Sequence, residues 1–329
     1  MTPPPLTENE ALTYAVILIT KDRSERAATM VDQALAQTRS PDQIIVVDSS
    51  SPPLALPAPL LGRAEARGVE LVVDHARPST SAQRNRGVDL ARAPVALMLD
   101  DDMIIPPDYA DTLLRGWERR GLLALGGVAG SYAKDTEGSR LEAGGGRVAQ
   151  LLRTIFMLHT LRFTRQTMLR RSGKLRLVPT PPREVLIRIY PNAAVLFRTD
   201  LLRKHRYDER FSGYVYGEDL DLCGRLARDA PILHSPATWC VHDADPAGRP
   251  SDEMWYRRSR HEGFFRLRMI GRDPLSLAAF GLSVLAEGGG AAVAAARARR
   301  AGPLAGYARG LREAIADVRR EQRPDRTRA

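Results

Sequence analysis

The sequence predicts an α/β protein built on a doubly wound, mostly parallel sheet flanked by helices. Three observations carry this prediction. Four short apolar runs occur within the first hundred residues, amphipathic segments separate them, and polar clusters stand where the strands would end. Uninterrupted apolar runs are typical of strands buried on both faces of a parallel sheet, and helices between such runs are the usual crossover connections.

The elements follow in order along the chain. The four apolar runs predict strands at residues 14–19, 44–47, 70–73 and 95–99. Between them, helical periodicity predicts helices at residues 24–37, with Ser24 as the cap, around 59–67, and from Ser79 or Ser81 to Ala91. The rest of the chain predicts a helix at 108–120, strands at 122–128, 190–198 and 231–241, short helices after Arg198 and Gly217, and a helix at 252–270 capped by Ser251.

The run from Val95 to Asp102 is the most informative stretch, because five apolar residues lead directly into three carboxylates. Ligands of open α/β sheets bind at the carboxyl ends of the strands. Side chains alternate along an extended chain, so Asp100 and Asp102 are predicted to face one side, about 7 Å apart. Asp101 would point away and is expected to tolerate substitution best. The spaced pair suits a hard cation and diphosphate oxygens, and the alternative is a solvated acidic turn.

Three further polar clusters fall at predicted strand ends or helix starts, at residues 20–23, 48–50 and 84–87. Each alone is compatible with ordinary turn or capping chemistry. Because the carboxyl ends of parallel strands meet at one edge of a sheet, the clusters together predict a mononucleotide-binding surface.

Composition restricts the class of protein. The chain has 329 residues and 43% hydrophobic content, enough for one large core or two modest ones. Only four of its 49 basic residues are lysines, so arginine dominates the net charge of +10 and favours phosphate-bearing partners or an anionic membrane surface. Cys223 and Cys240 lack metal-ligand spacing and are interpreted as buried apolar residues. The N-terminus lacks a signal-peptide pattern, so a cytoplasmic location is expected.

Three later stretches bear on contact with a membrane surface. No acidic residue occurs between Ala143 and Arg183, where arginines accumulate among aliphatic side chains. This insert would bind an anionic lipid surface or close over a pyrophosphate group. The alternative is a solvent-exposed basic loop packed by its own aliphatic side chains. Residues 274–296 are apolar but contain Glu287 and the triple glycine 288–290, which predict two short helices rather than a membrane span. The final helix, 304–318, has an apolar stripe beside arginines and suits a membrane leaflet or an oligomer contact.

The motifs together resemble family 2 glycosyltransferases, which have the GT-A fold. The resemblance is carried by the turn Thr20-Lys21-Asp22-Arg23, the strand end at Asp48, Arg84-Asn85-Arg86-Gly87, and Asp100-x-Asp102 followed by Pro106. Two positions depart from the family pattern: Ser49 replaces a common second aspartate, and Asp22 replaces a frequent asparagine. The resemblance covers roughly residues 14–245.

The resemblance implies roles for particular residues. Asp48 would contact the base, Asn85 would help to hold the nucleoside, and Asp100 would bind the ribose. Asp102 and His242 would hold a divalent metal, Mn²⁺ or Mg²⁺, together with two diphosphate oxygens. The full set of implied donor-binding residues is Thr20, Arg23, Asp48, Arg84, Asn85, Asp100 and Asn192.

The resemblance also implies a catalytic base. Inverting glycosyl transfer requires a base that takes the proton of the attacking hydroxyl group. The family places it in an acidic pair at a helix start, which here assigns Asp219 as the base and Glu218 as the group that orients the acceptor, with Asp221 as the other candidate base. Favourable placement of acidic residues in the first turn of a helix is the structural alternative. Arg257 and Arg258 are further candidates to reach the diphosphate.

On this interpretation the chain has five segments. They are a flexible lead (1–13), a nucleotide-sugar-binding half (14–130), a basic and apolar insert (131–190), an acceptor and catalytic half (191–250), and a helical, basic, amphipathic C-terminal extension (251–329).

The sequence predicts a metal-dependent, inverting glycosyltransferase that acts on a nucleotide-sugar donor and a hydroxyl acceptor, a glycan or lipid-linked sugar, in cell-surface glycan or glycolipid synthesis. Its expected place is the cytoplasm, peripheral on the inner face of the membrane; a homodimer is left open and no nucleic acid partner is expected. Two alternatives are a sugar-phosphate nucleotidyltransferase and a basic membrane- or nucleic-acid-binding protein with a degenerate nucleotide site.

Overall fold

The computed structural model describes residues 12–133, 169, 171–174, 180–190, 194–211, 217–243 and 253–322. Within these residues the strands are β1 (Tyr14–Thr20), β2 (Gln43–Asp48), β3 (Glu70–His75), β4 (Val95–Asp100), β5 (Met103–Ile104), β6 (Gly127–Tyr132), β7 (Val185–Ile187), β8 (Val195–Arg198) and β9 (Ile232–His242). The helices are α1 (Ser24–Leu35), α2 (Ala58–Ala66), α3 (Thr80–Leu90), α4 (Tyr109–Glu118), α5 (Thr199–His205), α6 (Glu218–Leu226), α7 (Met254–Met269), α8 (Pro274–Ala298) and α9 (Gly302–Glu321).

The described chain groups into two compact units. The first contains the sheet strands with helices α1 to α5 and most of α6. The second contains α7, α8 and α9, together with residues 171–174 and the first turn of α6.

The first half of the sheet is parallel, as predicted. Its strands lie in the order β3-β2-β1-β4, and β1 pairs in parallel with both β2 and β4. The central position of β1 follows from its sequence, because residues 14–18 are all apolar and all buried. This arrangement brings the carboxyl ends of β1, β2 and β4 to one edge of the sheet.

The second half of the sheet is mixed rather than parallel. β8 runs antiparallel between β4 and β6, and β6 pairs in parallel with the long strand β9. β7 and the two-residue strand β5 both pair antiparallel with β9. The β5 pairing aligns Met103 with His242, so the end of β9 lies directly beside the turn that follows β4.

Three predicted element details are wrong. The strand expected at residues 122–128 starts only at Gly127; Leu122–Ala124 is a 3-10 turn whose Leu123 is exposed, so the apolar pair there does not enter the sheet. The residue that caps α1 is Arg23 rather than Ser24, and no side chain there caps the helix. The predicted Ser251 cap of α7 lies outside the described residues.

The third error concerns α8, which continues through the triple glycine instead of breaking there. Tertiary contacts compensate for the low helix propensity of glycine. The helix packs near Tyr307 of α9 at Gly288 and near Trp255 of α7 at Gly290, and the Tyr307 hydroxyl donates to the Val284 carbonyl at 2.8 Å. On length and composition, α8 is the one described helix that could cross a membrane.

Candidate functional site

The turn after β4 is the centre of the site, and its geometry corrects one prediction. β4 ends at Asp100, and Asp101 and Asp102 lie in a turn, so the alternation of an extended chain stops before them. Asp101 is buried and accepts hydrogen bonds from the Thr20 hydroxyl at 2.7 Å and the Arg23 guanidinium at 3.0 Å. Burial raises the pKa of Asp101 above its ordinary value, although Thr20 and Arg23 act in the opposite direction. These buried contacts argue against the expectation that Asp101 is the most replaceable of the three.

Asp102 and His242, which are 140 positions apart in the sequence, lie together, as the resemblance to the family implied. The His242 Nε2 atom is 3.2 Å from Asp102 Oδ1, and Arg23 is 3.5 Å from the other carboxylate oxygen. The β5–β9 pairing fixes this contact, since the Asp243 amide also donates to the Asp102 carbonyl at 2.8 Å. Burial raises the pKa of Asp102, but His242, Arg23 and Arg26 outweigh burial and lower it below its ordinary value. Asp102 is therefore a carboxylate at neutral pH.

The Asp102–His242 pair fits a divalent cation. A carboxylate and an imidazole are suitable ligands for Mn²⁺, and adjacent octahedral ligands at about 2.1 Å from an ion lie about 3 Å apart. The observed 3.2 Å separation agrees with that value. Within the described part of the chain, no group of three or more histidine, cysteine, aspartate or glutamate residues could hold a metal by itself. A cation at this pair would therefore need additional oxygen ligands from substrate or water.

Asp100 has a different partner from Asp102. Its Oδ1 atom accepts a 2.7 Å hydrogen bond from the guanidinium of Arg84 in α3 and forms an ion pair with it. The Arg84 guanidinium is buried and lies over the Tyr207 ring, 5.2 Å from the ring centroid. A carboxylate held in this way keeps one orientation at the sheet edge. The structure thus brings two predicted donor-binding residues, Arg84 and Asp100, into direct contact.

Asn85 is engaged by the protein itself. Its amide nitrogen donates to the Tyr207 carbonyl at 2.9 Å and to Glu209 at 3.1 Å, while its amide oxygen accepts from the Tyr207 amide at 2.8 Å. The side chain is buried. These hydrogen bonds hold the segment after α5 against α3.

Asp48 is likewise bonded within its own loop. One oxygen accepts from the Ser50 amide and hydroxyl, and the other accepts from the Leu54 amide at 2.8 Å. Burial raises the pKa of Asp48, but these hydrogen bonds dominate and lower it below its ordinary value. His75 also lies 3.5 Å from Asp48. The carboxylate therefore shapes the loop after β2.

The loops after β1 and β2 are joined to each other. Asp22 has a φ of 54°, a left-handed conformation that asparagine and aspartate tolerate better than other residues with a side chain. Its amide donates to the Ser50 hydroxyl at 2.7 Å, and its carboxylate accepts from the Ser51 amide at 3.1 Å. Aspartate at this position is thus compatible with the left-handed backbone observed. Gln83 adds a second tie, since its amide donates to the carbonyls of Thr20 and Val47.

The second carboxylate cluster opens α6, as predicted. Glu218, Asp219 and Asp221 all lie in its first turn, which is favourable for the helix dipole. Asp221 is fully buried and forms a 2.7 Å ion pair with Arg268, while Glu218 is buried and Asp219 is more exposed than either. Asp219 is therefore the most exposed of the three carboxylates.

Three other residues predicted to bind the donor have no described contact with the residues above. Asn192 lies outside the described residues. Arg257 forms an ion pair with Glu253, the residue that caps α7, and Arg258 forms one with Glu262 within α7. Asp101, Gln83 and Tyr207 were not identified from the sequence, because their side-chain partners lie 36 or more positions away and no local pattern marks such contacts.

Comparisons with known proteins identify one sequence family and several similar structures. The sequence model described as Glycosyl transferase family 2 matches residues 15–180. Among solved structures, the chain is similar to a mannosyltransferase of Pyrobaculum calidifontis in complex with GDP-Man and Mn²⁺, with 15% identity, a TM-score of 0.49, and coverage of 96% of this chain and 89% of that one. No curated protein matches the chain.

Two further solved structures are similar. One is S. aureus TarS 1-349 in complex with UDP, with 14% identity, a TM-score of 0.49, and coverage of 82% of this chain and 70% of that one. The other is a mycobacterial protein, with 17% identity, a TM-score of 0.48, and coverage of 83% and 86%. The family match covers more than half of the chain and, with the mixed α/β sheet, confirms the expected GT-A fold. On this basis the chain belongs to glycosyl transferase family 2 and is a glycosyltransferase.

Proposed function

We propose that this enzyme transfers a sugar, with inversion, from a nucleoside-diphosphate sugar to a hydroxyl group of an acceptor. The observation that carries the proposal is the contact between Asp102 and His242, two residues remote in sequence whose side chains form a pair suited to a divalent cation. Mn²⁺ or Mg²⁺ bound there would neutralise the charge of the leaving diphosphate.

The proposed donor site is the sheet edge formed by the ends of β1, β2 and β4. Asp100, held by Arg84, is the proposed ribose contact, and the loop shaped by Asp48 is proposed to receive the base. Arg23, already beside both Asp101 and Asp102, is a proposed diphosphate contact. Thr20, Asn85 and Asn192 remain donor-site proposals; the first two have the structural bonds described above.

Asp219 is the proposed catalytic base. It takes the proton of the acceptor hydroxyl as the hydroxyl oxygen bonds to the anomeric carbon; the bond from that carbon to the diphosphate breaks, and its electron pair leaves with the nucleoside diphosphate. Asp221 is excluded from this role in our proposal, because it is buried and its charge is paired with Arg268. Glu218, at the same helix start, is proposed to orient the acceptor.

The proposed acceptor is a glycan or a lipid-linked sugar, in cell-surface glycan or glycolipid synthesis, and the proposed place of work is the cytoplasm at the inner face of the membrane. The C-terminal extension (251–329) would also allow a homodimer. The family match and the intact Asp102–His242 pair argue against both a nucleotidyltransferase and a protein with a degenerate site.

The test is donor turnover with a panel of UDP-, GDP- and dTDP-sugars in the presence and absence of Mn²⁺. Asp102→Asn should abolish metal-stimulated turnover, because it removes the charged ligand. Asp219→Asn should lose transfer yet keep binding of the nucleoside diphosphate with Mn²⁺, measured as a thermal shift. As a control, Asp111→Asn breaks only a surface ion pair with Arg115 and should turn over normally. Full transfer activity in Asp219→Asn, or no turnover of any donor by the unmodified enzyme, would refute the proposal.

A further inference from the structure

Helix α8 has the reverse of the usual polarity of a surface helix. Its buried residues are all small, and two are polar: Ser276, Ala279, Ser283 and Ala291. Four of its large aliphatic residues are exposed, Leu275, Leu277, Leu285 and Val293, while Leu282 and Val284 are half-buried. A helix in a water-soluble unit normally buries its large apolar residues and exposes its polar ones. The exposed apolar face of α8 therefore needs another apolar environment.

The inward face of α8 is held by a buried polar network. The Arg266 guanidinium, which is 1% exposed, donates to Glu287 of α8 at 2.9 Å and to the Ser172 carbonyl at 2.9 Å, and it also contacts the Ser283 hydroxyl. Lys174 pairs with the same Glu287 at 2.6 Å. Buried ion pairs are costly to break, because each partner left behind is an uncompensated charge. This network fixes which side of α8 faces outward.

The charge around the apolar face is mainly positive, and the exposed Asp273 that caps α8 is paired with Arg171 at 3.0 Å. Glu287 is the only acidic residue of α8, and it is bound to Arg266 and Lys174 on the inward side. Arg272 precedes the helix, while Arg297 and Arg299 stand at its end, and all three are exposed. Exposed leucines flanked by arginines match a bilayer surface that contains anionic lipids: the leucines enter the acyl boundary and the arginines meet the headgroups.

We propose that α8 is a membrane-docking helix that lies in the plane of an anionic bilayer surface, with Leu275, Leu277, Leu285 and Val293 inserted. The helix is long enough to cross a bilayer. A crossing would require it to leave Arg266 and Lys174 and to carry Glu287 into the hydrocarbon core, which is unfavourable. Docking in the plane keeps both ion pairs and covers the apolar face. This inference goes beyond the proposed reaction and does not depend on it.

The experiment is co-sedimentation of the full chain with vesicles of phosphatidylcholine alone or of phosphatidylcholine with phosphatidylglycerol. The unmodified protein should bind the phosphatidylglycerol vesicles, and high salt should release it because screening weakens the arginine contribution. Leu285→Glu should weaken binding by about tenfold or more, since one buried leucine accounts for at least a decade in affinity. Arg297→Glu combined with Arg299→Glu should weaken binding to the anionic vesicles.

Leu123→Glu is the matched control. Leu123 is 77% exposed and Leu285 is 68% exposed, so both substitutions place a charge at an open surface. Leu123 lies in the 3-10 turn of the sheet unit, and its variant should bind vesicles like the unmodified protein. Thermal unfolding of both variants, with unchanged midpoints, separates loss of docking from loss of folding.

Three results would overturn the proposal. The first is equal binding by Leu285→Glu and the unmodified protein. The second is binding that resists both high salt and alkaline carbonate, the behaviour of a membrane span. The third is a change in molecular mass of Leu285→Glu in solution without vesicles, which would show that a second copy of the chain covers this face.

Discussion

At the scale of single residues, the acidic run shows how three adjacent aspartates acquire different roles. Asp100 pairs with Arg84, Asp101 is buried against Thr20 and Arg23, and Asp102 meets His242. Residue type alone could not separate them. The distinction arises because the strand ends at Asp100, so the two following side chains are directed by a turn and by neighbours from β1, α1 and β9.

The consequence is a prediction for Asp101. Asp101→Ala should lower the free energy of unfolding by about 1–3 kcal/mol, because the Thr20 hydroxyl loses its buried acceptor and Arg23 loses one of two carboxylates. Urea unfolding followed by circular dichroism measures this change. Asp102→Ala is the comparison and should cost less stability, since that carboxylate is less buried. A change of less than about 0.5 kcal/mol in Asp101→Ala would contradict the assignment.

At the scale of elements, α7 and α9 pack closely through glycines. Gly302, Gly306 and Gly310 recur every four residues, so they lie along one face of α9. A methyl group added at Gly306 would lie 3.3 Å from the Tyr256 amide nitrogen, and one at Gly310 would collide with the Tyr256 carbonyl and the Ser259 hydroxyl. Glycine is thus required at position 310 by the backbone of α7, whereas nothing lies within 4 Å at Gly302.

A pair of alanine substitutions tests this packing. Gly310→Ala should lower the free energy of unfolding by about 2 kcal/mol through overpacking against α7. Gly289→Ala, at a position in α8 where nothing lies within 4 Å, should raise it by about 0.5–1 kcal/mol, because alanine is the better helix former. Thermal and urea unfolding measure both. Equal effects of the two substitutions would show that close packing does not determine the glycine at 310.

At the scale of the whole molecule, both compact units contain a buried histidine that resists protonation. Burial lowers the pKa of His234 to about 4. Burial, assisted by Arg260 and Arg257, lowers the pKa of His261 to about 4 as well. His234 lies 3.0 Å from the Ser131 hydroxyl and 3.4 Å from that of Tyr190, so its neighbours are neutral. Neither residue has a role in the proposed reaction.

Acid should therefore destabilise the protein in a defined window. Above the ordinary histidine pKa of 6.5, the folded and unfolded states are both neutral at these positions. Between pH 6.5 and about 4 only the unfolded state takes up the protons, so the free energy of unfolding falls by about 1.4 kcal/mol per pH unit for each histidine.

Urea unfolding at several pH values measures this slope. His234→Gln should reduce the slope by about the contribution of one histidine. The same slope in His234→Gln and in the unmodified protein would contradict the assignment of His234.

Much of the parallel half of the sheet could be predicted, because its cause is local. Apolar runs such as residues 14–18 and 95–99 can only be buried strands here, and the helices between them force parallel crossovers. The pairing of Asp102 with His242 was also foreseen, although through the resemblance to a family rather than from spacing. The mixed half was less predictable, since its short strands depend on partners far along the chain.

The sequence by itself determined the family, the parallel half of the sheet and the residue types available for a metal and a base. Only the tertiary structure decided which of these residues are already bonded. It placed Asp101, Asn85 and Asp221 in contacts within the protein, left Asp102 beside His242, and turned the leucines of α8 outward. The physical reason is that secondary structure follows from local periodicity, whereas burial and hydrogen bonding depend on groups that only folding brings near.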